Sequence, residues 1–248
     1  MIENQKRSFF SKYRLEITDV RSKLLNRSLL WMSLGLMVII LVAWISSVND
    51  NFRQFVTTFS LGSSWLFSWI FNLIIIFALF WSVQNTNINI VIPLSLYVLF
   101  AVYEGMFITS ILIFTGTVDV ARDLILYIMI PAGIFTLMGV IGYLNLINFS
   151  KLIPFSFFGF ISILVLSFVM IFTSNKFIES LYFIIAGAVF IIWIGFDIQM
   201  IGKTQQMLPD YVDKKTINRI SFMFGIKLFI DFVNLLMLII RFLGFGRN

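Results

Sequence analysis

The chain has 248 residues, 60% of them apolar and only 12% charged, with a net charge of +6. That balance excludes a soluble domain of this length, which needs far more polar surface, and places the chain among integral membrane proteins. With neither cysteine nor histidine, disulfides, thiol or imidazole nucleophiles and His-ligated metals are excluded too.

Residues 1–28 carry seven Lys/Arg, from Lys6 to Arg27, against Glu3, Glu16 and Asp19. Phe9, Phe10, Tyr13, Leu15 and Ile17 suit this segment to an amphipathic helix on the membrane surface. It is not a secretory signal: the first apolar run begins near residue 29, is too long for a signal core and lacks a small-residue cleavage site. The hydrocarbon thickness of a bilayer takes about 20 helical residues. Seven runs of that order follow, at 29–48, 63–83, 91–114, 122–143, 153–173, 180–202 and 220–243. The expected fold is therefore all-α: a cytoplasmic basic segment, 1–28, and one seven-helix transmembrane domain, 29–248.

Polar stretches such as "SVNDNFRQ", "SVQNTNIN" and "FTSNKFIES" read as the turns between spans. Trp31 and Trp44 stand near the two ends of the first span, as interfacial anchors do. Pro93 falls in the first turn of the third span, where proline is tolerated, and Pro131 and Gly133 are placed to kink the fourth. Gly139, Gly142, Gly187 and Gly195 suit close helix approach, a packing role. Seven crossings put twelve Lys/Arg on one side, including Lys151, Lys203, Lys214, Lys215 and Arg219, and four on the other, Arg53, Arg122, Lys176 and Arg247. The positive-inside rule then sets the N-terminus in the cytoplasm and the C-terminus outside. The basic charge is topological signal and headgroup attraction, so the expected partners are lipid and not nucleic acid.

Two carboxylates lie inside the last two spans, Asp197 in "IIWIGFDIQMIGK" and Asp231 in "GIKLFIDFVNLLMLIIRFLG". An ionisable group in hydrocarbon costs about 2.5–3.5 kcal/mol or more and marks a functional site. On the seventh span Lys227, Asp231, Asn234 and Arg241 fall within an arc of roughly 80°, one polar stripe that lipid cannot face. Arg241, close to the outer end, also suits snorkelling. Counted from the run ends, Asp197 and Asp231 differ in depth by about six residues, roughly 9 Å. If they meet they cannot both ionise cheaply, and one proton is shared between them. Lys227, one turn before Asp231, is a competing ion-pair partner. Glu104 in the third span adds a third acid, Asn72 in the second suits a helix–helix hydrogen bond, and Glu179 reads as interfacial.

These residues also carry a resemblance. "IWIGFDIQMIGK" resembles the sixth-helix motif of the Bax inhibitor-1 (transmembrane Bax inhibitor motif) family, and "LFIDFVNLLMLIIRFLG" is similar to that family's closing motif. "AGIFTLMGVIGYLNLINFSKL" is similar to its fourth helix, with Phe135 and Gly142–Tyr143 at the matching positions. The resemblance implies two three-helix layers around a central seventh helix, in a bacterial-type member of the cytoplasmic membrane. It also implies a pH-sensitive calcium leak gated by the diaspartyl pair, here Asp197 and Asp231, which would hold calcium in passing. Two departures stand out: the second span has neither Arg nor Glu, and Lys227 occupies a position the family usually gives to a small or polar residue. Lys227 is expected to replace the missing cation.

Three other readings compete. Intramembrane carboxylates suit proton-coupled transport, although the broken paired helices of many transporters are not evident. A non-transporting membrane regulator would use the stripe to dock another membrane protein. An intramembrane aspartyl protease would share a proton between two aspartates, but "LFID" is not Gly-x-Gly-Asp and no Pro-Ala-Leu follows. No enzymatic activity and no cofactor are expected; calcium enters as the permeant ion.

Overall fold

The computed structural model describes residues 24–61, 65–85, 87–114, 116, 120–173, 175–209 and 212–245. The expected surface helix around Phe9 to Ile17 lies outside them. Eight α-helices are present among the described residues: α1 Leu24–Val48, α2 Asp50–Leu61, α3 Trp65–Gln84, α4 Val91–Phe114, α5 Val120–Tyr143, α6 Ile153–Phe172, α7 Lys176–Met207 and α8 Lys214–Phe245. A 3₁₀ turn, Phe149–Lys151, precedes α6.

Six of these helices are long and apolar enough to cross a membrane: α1, α4, α5, α6, α7 and α8. In α3 the apolar stretch Ile70–Gln84 is shorter. Asparagines punctuate the chain where apolar runs must end, because their side chains accept from amides that a helix start leaves unpaired. Asn49 Oδ1 accepts from Phe52 N at 3.0 Å, Asn89 Oδ1 from Val91 N at 3.2 Å, and Asn175 Oδ1 from Phe177 N at 2.8 Å. At the head of α8 Asp213 does the same for Thr216 N. Hydrogen bonding from Thr216 holds the Asp213 carboxyl below the usual carboxylate range.

The helix α2 is a finding that the reading of "SVNDNFRQ" as a turn did not contain. Phe52, Phe55, Val56 and Phe59 recur at helical spacing and give it one apolar face. That face packs on α1 and α4, with Val56 fully buried beside Val42 and Met106, and Ser110 Oγ donates to Val56 O at 3.1 Å.

The helix α8 packs against α1, α3, α4, α5 and α7, and with α4 it is the most buried of the spans. Its buried apolar residues cover three sides of the axis, Phe222 and Ile226 on one, Phe229 and Phe232 on the next, Leu228 and Leu235 on the third, and the polar stripe runs along the remaining arc. Beside it, α1, α2, α3 and α4 pack on one another, while α7 packs on α5 and α6. Exposed Leu34, Met37, Ile70, Phe77, Phe158 and Phe168 form the outer apolar surface.

Two glycines let α1 lie close to this centre. A Cβ on Gly225 would strike Trp31, and one on Gly35 would lie 2.6 Å from the Phe229 ring. Trp31, expected as an interfacial anchor, packs inward on α8, edge-on to Phe222 at 4.8 Å between ring centres. Trp44 is exposed, as an anchor requires.

Candidate functional site

Asp197 stands on α7 and Asp231 on α8. The two carboxyl groups meet where α7 packs on α8, close enough to interact directly, and the Lys227 ammonium interacts electrostatically with both. A hydrogen bond between them requires one carboxyl to carry the proton it donates. Asp231 is 5% exposed, and its Oδ2 is buried with no hydrogen-bond partner. Both helices outrun their apolar runs by similar lengths, so counting from the helix ends leaves an offset of the same size, and the two acids meet because α8 is displaced along α7. Asp197 lies ten residues before the end of α7 at Met207, and Asp231 seventeen after the start of α8 at Lys214. The start of α8 thus projects roughly 10 Å past the end of α7, seven residues at about 1.5 Å each.

Two contacts hold that projecting end. Arg27 Nη1 donates to Asn218 Oδ1 at 2.7 Å, tying α1 to α8. Arg219 Nη2 donates to three backbone carbonyls at the end of α3 and in the loop beyond, Ser82 O at 3.3 Å, Asn85 O at 2.6 Å and Ile88 O at 3.0 Å. A guanidinium at a helix C-terminus meets the negative end of the helix dipole.

The α7 side is fixed by Gln199, which sequence reasoning passed over although it is a buried amide two residues from Asp197. Its Nε2 donates to Asn145 Oδ1 at 2.9 Å and to Ile147 O at 3.1 Å, and its Oε1 accepts from Ser150 N at 3.3 Å. Lys203 Nζ donates to Ser150 Oγ at 2.9 Å. The loop between α5 and α6 is thereby pinned to the helix that carries Asp197. Gly142 and Gly195 make the close approach expected of them: a Cβ on Gly142 would stand 2.7 Å from Gly195 O, and one on Gly195 would stand 2.5 Å from the Phe149 ring. Gly139 and Gly187 have ordinary room, with nearest atoms at 3.9 and 3.8 Å.

The polar stripe of α8 divides between two neighbourhoods. Lys227 and Asp231 engage Asp197, whereas Asn234 and Arg241 line a cavity of about 360 Å³ between α3, α4, α7 and α8, together with Asn72 and Glu104. Asn72 Nδ2 donates to Glu104 Oε1 at 3.1 Å, the expected helix–helix hydrogen bond, and Glu104 is 5% exposed. Glu179 lies in the first turn of α7. Among the described residues no group of three or more His, Cys, Asp or Glu could hold a metal ion.

Apolar helices of membrane-spanning length, packed around a central helix that carries one of two adjoining carboxyl groups, define an integral membrane protein. The family model described as "Inhibitor of apoptosis-promoting Bax1" matches residues 21–248, and the chain belongs to that family, the Bax inhibitor-1 family. It is similar to a protein of Borreliella burgdorferi described only as uncharacterized, 26% identical over 230 residues that cover 92% of this chain and 94% of that one.

Proposed function

We propose that this protein is a pH-sensitive cation leak, with calcium as the permeant ion, whose gate is the Asp197–Asp231 pair. The observation that carries the reading is the meeting of these two carboxyls between the packed helices α7 and α8, with Lys227 acting on both. Two carboxylates and a cation that share a proton change their net charge with pH. Repulsion between the carboxylates acts between α7 and α8 and can part them. Lys227 serves as the cation that the second span does not supply, one turn from Asp231 on the same helix. The reading is non-enzymatic and needs no cofactor.

The leak reading takes α3 as the seventh crossing and places three helices on either side of the central α8. Basic residues then cluster at the cytoplasmic ends, with the N-terminus inside a bacterial cytoplasmic membrane and the C-terminus outside. Consistent with that topology, Arg27, Asn218 and Arg219 meet at one end of the bundle.

The test is calcium influx into liposomes that hold the purified protein and a calcium indicator, followed from about pH 6 to about pH 8, a range that burial can bring a carboxyl group into. Protein-dependent influx whose pH profile shifts in both Asp197→Asn and Asp231→Asn is expected. Influx no greater than in protein-free liposomes, or a profile untouched by either substitution, refutes the reading.

A further inference from the structure

The cavity between α3, α4, α7 and α8 has polar side chains that the aspartate pair does not use. Glu104 is almost wholly buried, yet it lines this cavity with Asn72, Asn234 and Arg241. Hydrocarbon cannot solvate such a group, so the space suits water or a polar ligand, and about 360 Å³ has room for several waters. Asn72 is oriented by the bond its amide donates to Glu104 Oε1. Its own Oδ1 is left buried with no hydrogen-bond partner. A carboxylate and an orphaned amide oxygen, held together on facing helices, repel anions and suit a hard cation, which prefers oxygen ligands. Asn234 adds a third side-chain oxygen from α8, one turn beyond Asp231 and on the same stripe.

We propose that Glu104, with the side-chain oxygens of Asn72 and Asn234, forms a second cation site beside the central helix, taking a partly hydrated divalent ion such as calcium. One carboxylate and two amides fall short of the roughly six to eight oxygens of a resident calcium site, so water completes the shell and binding is weak. Arg241, two turns farther along α8 and in the same cavity, repels the ion and keeps it from lodging. The inference rests on the leak reading only for its place on the route, one turn outside the aspartate gate.

Terbium(III), which takes calcium-type oxygen sites, is the probe, because Tyr103 and Tyr182 line the cavity and can sensitise its emission. The full chain in detergent micelles is titrated with terbium, and bound terbium is then displaced with calcium. Tyrosine-sensitised emission is expected in the wild type and in the Asp197→Asn/Asp231→Asn double variant. Glu104→Gln should weaken terbium binding on the order of tenfold through loss of the charged ligand, whereas Asn72→Asp, which adds one, should strengthen it. Equal affinity in wild type and Glu104→Gln, loss of the signal in the double variant, or no sensitised emission in the wild type overturns the site. If Glu104→Gln fails to fold, the affinity of Asn72→Asp decides alone, and an unchanged or weaker value overturns the site. Terbium binding without calcium flux would refute the leak and keep the site. Flux with terbium affinity unchanged by Glu104→Gln would do the reverse.

Discussion

Replacing Gly142 by alanine tests whether the close approach of α5 and α7 positions Asp197. A Cβ there would lie 2.7 Å from Gly195 O, about 0.7 Å inside the 3.4 Å at which ordinary contact begins. The obstructing atom is a backbone carbonyl within a helix and cannot rotate away, so α7 itself must shift. Overpacking of this kind costs about 1–3 kcal/mol. Alanine in a helix interior returns about 1 kcal/mol of backbone entropy relative to glycine. The net for Gly142→Ala is a destabilisation of about 0–2 kcal/mol. Gly139→Ala is the internal control: its nearest atom is at 3.9 Å, so the entropic gain is not opposed, and it should be neutral or stabilising by about 1 kcal/mol. Denaturant unfolding of both variants in one detergent measures the difference. Calcium influx against pH should show a displaced profile for Gly142→Ala and a native one for Gly139→Ala. The reasoning fails if Gly142→Ala is at least as stable as Gly139→Ala.

Two further predictions bear on the same site. Lys227→Met removes the cation that favours ionised carboxylates, so the pH midpoint of influx should move to higher pH; an unmoved midpoint would show that Lys227 has only a packing role. Gln199→Leu strips the partners from Ile147 O and Ser150 N and should cost about 1–3 kcal/mol per group left buried without a bond; hydrogen exchange of the amides between Asn145 and Ser150 should speed up while those of α8 do not, and unchanged exchange in that loop would refute the role assigned to Gln199.

The positions of the six long apolar helices were legible because an apolar run of the right length has one stable arrangement in lipid. The aspartates were legible for the converse reason, since polar atoms in such a run stand out against their surroundings. What escaped were features whose signal is local or shared. The α2 face, Phe52 to Phe59, has plain helical spacing but sits among charges and asparagines that read as a turn. Gln199 was hidden by its neighbour Asp197, although one buried amide organises the whole loop from Asn145 to Ser150. The contact of Trp31 with Gly225 was hidden because it depends on how α1 packs on α8, which one helix's sequence does not show.

By itself the sequence determined the membrane class, the helical fold, the family and the identity of the intramembrane acids, because each follows from composition, run length or motif. Only the tertiary structure decided which acids meet. A helical stripe fixes the direction of a side chain about its own axis but not which neighbour it faces, nor how far one helix has slid along another. The projection of α8 past the end of α7, held by Arg27 and Arg219, brings Asp231 level with Asp197, while the packing of α3 and α4 turns Asn72 and Glu104 toward Asn234 and Arg241. One continuous stripe in the sequence thus becomes two separate polar sites in the folded chain.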